Sequence, residues 1–495
     1  MARRAVLSVA CLALLAGPTA LAFFSGGYFE TPRVWAGAAA WALVALAMLT
    51  GRRPLPASAP GILAVGGLTG YGLWTLASTA WAPVAGSAWA AGQVALLYAG
   101  ALIAALAFLR DPRAQRLVEP GLALGTAIVV GYGVSNRMLP GLLHFHRSIS
   151  AQGRLEQPLT YWNAMGELAA LGFVLAVRLA GDAARPRALR VMAAAATPLL
   201  GLGVYLSVSR GALFAVGAGV VALVVLAPSR AQLHSVGLGL LGGLLASLGA
   251  APFKGVTSLA GPLGTREHQG AIALAILAAV TAAAAIAQLM LARRDRDARL
   301  RLPRRAPLIA TALVCAGLAG AIVVGSKETS AEPLSAGATR YVSLESNRYA
   351  YWGVALKAFA AEPVHGVGAG GWAVWWLRYR TVIEGAQDAH SLELQTLAEL
   401  GLVGAVLLLA FLGGEGWALV RAARASPPLA AGPAAACITY IVHSPLDWDW
   451  QMPAVTLIAI VLGGLLLALA EPAPRAVISA RRPEEPARPA AAERA

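Results

Sequence analysis

Three stretches of the chain put ionisable side chains where their neighbours are apolar. "QDAHSLELQTLAELGLVG", starting at Gln387, carries Asp388, His390, Glu393 and Glu399 and runs straight into "AVLLLAFLGG". "YLSVSRGALFAV" wedges Arg210 between two apolar runs, and "SNRYAYWGVALKAF" opens with Arg348. If a helix starts near Asp388, with Asp388 as its cap, His390 falls in the first turn, where unpaired N–H groups and the positive dipole end gather. That position suits an anion and disfavours an imidazolium, which leaves a neutral histidine able to accept a proton. At 100° per residue His390, Glu393, Leu394 and Leu397 share one side and Glu399 faces the other, so Glu399 is read as tying the helix to its neighbours. Arg210 either snorkels at a span boundary or serves a function. Its connection is predicted to lie outside, against the usual bias of basic residues, and that favours function. Arg348 by itself reads as a surface arginine stacked on Trp352, on the same face of its helix.

Other residues carry weaker signals. His144 and His146 form an HxH with no acidic or cysteine neighbour, so a metal site is not indicated. Asp447 and Asp449 alternate with Trp448 and Trp450, which reads first as an interfacial aromatic anchor. No phosphate-binding Gly-Lys-Ser/Thr loop is present, which argues against an ATP-driven pump, and "GVGAGG" has no strand before it. Cys11, Cys315 and Cys437 lie in apolar segments without ligand spacing, so neither a disulfide framework nor a zinc site follows. No cofactor and no metal are expected.

The elements that must position these residues are membrane spans. The chain has 495 residues, of which 58% are hydrophobic and only 13% charged; soluble domains carry about a quarter charged residues. "AGVVALVVLA" and "LIAIVLGGLLLALA" lack the polar stripes of a soluble helix. A span needs about 20 mostly apolar residues, and by that measure the chain holds about fourteen, near 5–24, 34–50, 60–80, 88–109, 117–135, 160–180, 188–206, 211–227, 233–251, 269–291, 307–325, 391–412, 429–446 and 453–470. The fold expected is all-α: a polytopic membrane protein of about 12–14 transmembrane helices with one large extracytoplasmic loop. The first segment resembles a signal peptide, but the many spans behind it favour an uncleaved first helix.

Alternate connections, among them "TGRRPLPAS", "GDAARPRALR" and "RRDRDARLRLPRR", are rich in arginine and belong in the cytoplasm. Both termini then fall on that side, in a cytoplasmic (inner) membrane protein. The net charge of +15 is read as this topological bias and not as a sign of nucleic acid. The expected organisation is an N-terminal bundle over 1–325, a large extracytoplasmic loop over 326–390, C-terminal spans over 391–470 and a disordered tail over 471–495. In the loop, Tyr349, Trp352, Leu356 and Phe359 recur at helical spacing, predicting a helix on the membrane surface. Pro363 and the glycines of "AEPVHGVGAGGW" then predict a tight turn.

Four of these segments, in this order, resemble the O-antigen ligase family of lipid-linked glycan transferases, which also includes O-antigen polymerases and protein O-oligosaccharyltransferases. "GRLEQPLTYWNAMG" is similar to a Gly-Arg…Tyr-Pro-Asn-x-x-Gly segment, "SRGALFA" to Ser-Arg-Gly at a span start, "NRYAYWGVALKAFAAEPVHGVGAGGW" to Arg-x-x-x-Trp…Pro-x-x-Gly-x-Gly, and "AHSLELQTLAELGLVG" to Ala-His-Asn…Leu-Gln…Glu-x-Gly. Trp162 stands where proline is common and Ser391 where asparagine is usual. The resemblance implies a GT-C-like, metal-independent transferase with an extracytoplasmic active site. It implies that Arg210 and Arg348 hold the pyrophosphate of an undecaprenyl-diphosphate-linked glycan, and that His390 is the general base for the acceptor hydroxyl. Arg154, Tyr161 and Asn163 join the two arginines as implied substrate-binding residues. The implied partners are that donor, a glycan, lipid or protein acceptor, and membrane lipid. A transporter or lipid-glycan flippase is the alternative; it predicts inverted repeats and charges near mid-membrane.

Overall fold

A computed structural model describes residues 2–294, 300–325 and 347–472. The described residues form helices and no strands. The first nine helices are α1 (Ala2–Ala22), α2 (Glu30–Leu49), α3 (Ala59–Ala77), α4 (Ala85–Phe108), α5 (Pro112–Met138), α6 (Trp162–Gly181), α7 (Arg187–Ser207), α8 (Arg210–Leu226) and α9 (Arg230–Ala250). A single turn, α10 (Lys254–Thr257), precedes α11 (Leu263–Arg294) and α12 (Ala306–Gly325). Two shorter helices, α13 (Arg348–Ala361) and α14 (Gly371–Tyr379), lead into α15 (Leu392–Ala425), α16 (Pro427–His443) and α17 (Pro453–Ala470). Helices therefore stand at all fourteen positions marked by hydropathy, and eleven of them are long and apolar enough to cross a membrane. The chain is a polytopic membrane protein. Residues 326–346, which open the predicted outer loop, and 473–495 of the predicted tail lie outside the described residues.

Several helices start where the sequence supplies a cap. Ser58, Asp111, Ser209 and Ser229 each accept from a backbone N–H in the first turn of α3, α5, α8 and α9, satisfying donors that a helix start leaves unpaired. At the centre α6 buries every residue from Asn163 to Gly181, and its alanines and glycines allow the close backbone approach that packs helices in lipid.

The described connections gather at two ends. At one end the arginines pair up: Arg185 meets Glu119 at 2.7 Å, Arg110 meets Glu471 at 3.4 Å, and Arg178 donates to the Pro428 carbonyl at 2.8 Å. At the other end Trp74 donates to the Leu400 carbonyl at 3.1 Å, Ala369 N–H to Ser78 Oγ at 3.1 Å, and Leu155 N–H to the Leu206 carbonyl at 2.8 Å.

A small layer of α13, α14 and the start of α15 covers that second end. α13 packs through Tyr351, Val354, Ala355 and Ala358 against Trp372 and Trp376 of α14 and Ala398 of α15. Tyr349, Trp352, Leu356 and Phe359, whose spacing predicted a helix here, are not the residues buried in this layer; Leu356 is exposed. Both stripes have helical spacing, and the one with two alanines and a valine lets the helix sit closer to the tryptophans.

The predicted glycine turn is present. Gly366, Gly368 and Gly370 have positive φ, and the turn presses against a break in α15 at Gly401 (φ 61°, ψ −159°). The break frees carbonyls and N–H groups that would otherwise pair along the helix. The turn satisfies them: Val367 N–H donates to Ala398 O at 3.0 Å and Gly368 N–H to Glu399 O at 2.9 Å, while Leu402 N–H donates to Pro363 O at 2.8 Å. A Cβ at Gly401 would lie 2.4 Å from the Val364 carbonyl oxygen, and one at Gly366 2.3 Å from the Glu399 carbonyl carbon. α15 is thus a short helix, 392–400, held in the end layer, followed by a long one that continues through the bundle.

Candidate functional site

Three helices at this end begin in the same unusual way. Thr160 (φ 65°), Val208 (φ 53°) and His390 (φ 53°) are left-handed, and each immediately precedes an N-cap residue: Tyr161, Ser209 and Ser391. None is glycine, so each costs roughly 1–2 kcal/mol, and left-handed valine is an outlier by its branching. Strain of this kind is retained where the surroundings hold it and concentrates at functional sites. The three segments carry Tyr161 and Asn163, Arg210, and His390.

The third segment corrects the sequence reading of His390. α15 begins at Leu392, and Ser391 is its cap, accepting from Leu394 N–H at 3.3 Å. His390 therefore lies just outside the first turn, and Asp388 does not cap. Serine is among the residues preferred for that role. Gln395 fixes the preceding loop, donating to Asp388 Oδ1 at 3.0 Å and accepting from Ala389 N–H at 3.2 Å. His390 Nδ1 sits 2.9 Å from the Asp388 carbonyl. A carbonyl only accepts, so Nδ1 carries the proton and in the neutral ring Nε2 is the acceptor.

Beside this imidazole stands a compact polar group. Arg348, the first residue of α13, donates to Asp447 Oδ2 at 2.6 Å. Tyr161 OH donates to Asp447 Oδ1 at 2.6 Å, and Asn163 Nδ2 donates to the Tyr161 oxygen at 2.8 Å. Trp448 N–H donates to the same Asp447 oxygen at 2.9 Å. The Tyr161 and Trp448 rings are 4.3 Å apart, and His390 lies 5.1 Å from the Tyr351 ring and 6.4 Å from Trp448. Burial alone would raise the Asp447 carboxyl, but the Arg348 guanidinium, then His390 and His443, hold it below its ordinary value. The same burial, with the Asp447 charge, pushes the Tyr161 hydroxyl well up, so it stays a donor. Burial raises Asp388, opposed by Gln395 and His390.

Among the residues singled out in the sequence, the structure brings together Arg348, His390, Tyr161 and Asn163. Arg210, half-buried at the first position of α8, stands one step away. A Cβ on its neighbour Gly211 would lie 2.8 Å from His443 Nε2, and His443 opens the segment that ends on Asp447 and Asp449. Arg154 is buried; it donates to Ala151 O at 2.9 Å and Ser150 O at 2.8 Å and lies 3.7 Å over the Trp162 ring, which places it under Tyr161's neighbour. Glu399 ties its helix to α14 as expected, accepting from Trp372 N–H at 3.2 Å. Glu393 accepts from Ser391 at 3.3 Å and Ser444 at 3.2 Å, joining α15 to the Asp447 segment.

Sequence reasoning missed Asp447 as a partner of Arg348. It also misread Trp450, which is buried against Tyr98 at 4.8 Å and is no interfacial anchor. It missed a buried trio behind the site, in which His443 Nδ1 bonds Asp449 Oδ2 and lies 4.0 Å from Glu167 Oε2. The available signal was a glutamate and a histidine inside otherwise apolar spans, which are costly and rare there.

Fold and site together define an all-helical polytopic membrane protein with a strained, arginine- and histidine-bearing polar site at one end of its bundle. Residues 256–409, which include Arg348 and His390, match the family model described as O-antigen ligase. The match covers less than a third of the chain, and that stretch is what is similar to O-antigen ligases. No curated protein matches the chain.

Proposed function

We propose that the chain transfers a glycan from an undecaprenyl-diphosphate carrier to an acceptor hydroxyl on the extracytoplasmic face of the cytoplasmic membrane. The observation that carries this reading is the placement of Arg348, Asp447, Tyr161 and His390 in one cluster, with the His390 Nδ1 proton directed to the Asp388 carbonyl. His390 Nε2 takes the proton of the acceptor hydroxyl as its oxygen attacks the anomeric carbon. The bond from that carbon to the diphosphate oxygen breaks, and the electron pair leaves with the lipid diphosphate. Arg348 and Arg210 stabilise that charge; a guanidinium's forked donors match phosphate oxygens. Asp447 orients Arg348, and Tyr161 and Asn163 hold Asp447 in place. The arginine-rich connections gathered at the opposite end support a cytoplasmic location for that end and an extracytoplasmic one for the site.

Transfer from an undecaprenyl-diphosphate-linked oligosaccharide, measured with purified protein in nanodiscs, tests the assignment. His390→Ala is expected to reduce transfer to background in a protein that inserts and purifies normally. Near wild-type transfer by that variant would sink the proposal.

A further inference from the structure

The segment carrying His390 has a second opening on it. An open cleft of about 700 Å³ is lined by the first turn of α2, the start of α4, α14 and the residues leading into α15. Asp388 lines this cleft, and its carbonyl holds His390. Tyr28 likewise belongs to both: its ring meets Trp448 at 5.6 Å, and its hydroxyl donates to Gln387 Oε1 at 3.3 Å at the cleft wall. A group seated in the cleft thus touches the residue whose carbonyl holds the imidazole.

The cleft differs from the arginine-bearing site in its polar lining. Glu30, Asp388 and Glu399 line it against a single arginine, Arg33, and Arg33 already donates to the Tyr28 carbonyl at 3.4 Å. A diphosphate would find one guanidinium there, already engaged, and no pair of arginines to hold it. Hydroxyl groups would find acceptors in the carboxylates, both acceptors and donors in Gln387, Gln395 and Gln451, and an aromatic surface in Tyr28. The volume falls within the usual range of small-molecule sites, about 300–1,000 Å³.

We propose that this cleft is the acceptor subsite and binds an uncharged, hydroxyl-rich sugar unit, presenting one hydroxyl to His390 while the donor diphosphate occupies the Arg348 side. The inference deepens the transferase reading and rests on it. The arginine-bearing site and the amide-lined cleft adjoin the same segment, so donor and acceptor are sorted by the polar groups around them before they meet.

The test uses the full chain in nanodiscs and two probes, undecaprenyl diphosphate and a panel of octyl glycosides of glucose, galactose, mannose and N-acetylglucosamine. Ala90→Trp fills the cleft, and Gln387→Ala removes a polar wall residue that is exposed and carries little packing. At least one glycoside should bind the wild type and lose tenfold or more in affinity in both variants, with undecaprenyl diphosphate binding unchanged. Retained undecaprenyl diphosphate binding also reports that the variant is folded. If Ala90→Trp loses both probes, Gln387→Ala decides by the same criterion. No glycoside binding to the wild type, unchanged glycoside affinity in Gln387→Ala, or loss of undecaprenyl diphosphate alone overturns the subsite. Failure of undecaprenyl diphosphate to bind the wild type, or its unchanged binding in Arg348→Ala, counts instead against the transferase reading.

Discussion

In the proposed role His390 must accept a hydrogen bond from substrate yet be held firmly, and the backbone meets both requirements. The left-handed φ turns the residue out of line with α15, and the Asp388 carbonyl fixes the tautomer. General-base catalysis is worth about 10²–10⁴ in rate, so His390→Ala should lower single-turnover transfer by at least about a hundredfold without shifting the unfolding midpoint. Asp447 supports a second prediction. Its carboxyl is held below the ordinary value of about 3.9, so its pairing with Arg348 contributes stability above that pH and loses it as pH falls through the lower folded value. Asp447→Asn should therefore cost about 2–3 kcal/mol at neutral pH, the scale of a charged hydrogen bond removed from a buried partner. The gap from wild type, followed by thermal unfolding in detergent, should close below about pH 4; a gap constant with pH would show that the carboxylate is not paired. Arg210 stood out in the sequence because a charge between apolar runs is locally conspicuous, whereas Arg348 and His390 were singled out by the family resemblance. Asp447 was not, because its meaning depends on a partner 99 residues away.

Among the elements, the junction of the glycine turn with α15 bears most on the site, since it sets where the helix start carrying Ser391 and Glu393 can sit. Gly401 combines φ 61° with ψ −159°, a region essentially restricted to glycine, and has no room for a Cβ. Gly401→Ala should destabilise by about 3 kcal/mol or more and lower transfer by displacing the end layer. Gly353→Ala, where a Cβ would meet nothing within 4 Å, should lower neither stability nor transfer. A tolerated Gly401→Ala would mean that the break in α15 can relax into a continuous helix. Pro363 and its glycines announced this turn plainly, because breakers act locally. The packing face of α13 was not legible: two stripes shared the same period, and only the shape of α14 and α15 selects Tyr351, Val354, Ala355 and Ala358.

Across the whole molecule, the positions of fourteen helices could be read from hydropathy because each is a property of about 20 consecutive residues. Their arrangement around α6 could not, since alanine- and glycine-rich helices present nearly equivalent surfaces and are told apart only in the assembled bundle. The functional reading adds a claim about orientation that the two ends make testable. The arginine-rich end carries the Arg178, Asp182 and Arg185 ion pairs, and the site end carries the exposed Gly385. With Cys11, Cys315 and Cys437 replaced by alanine, Gly385→Cys should react with a membrane-impermeant maleimide in intact cells. Ala183→Cys, exposed beside those ion pairs, should react only after lysis. Transfer to an extracytoplasmic acceptor requires this order, because a glycan on a flipped lipid carrier would be reached only from that side. The reverse labelling pattern would place His390 in the cytoplasm, and an extracytoplasmic transfer reaction at this site would then be impossible whatever the activity of the His390 variant.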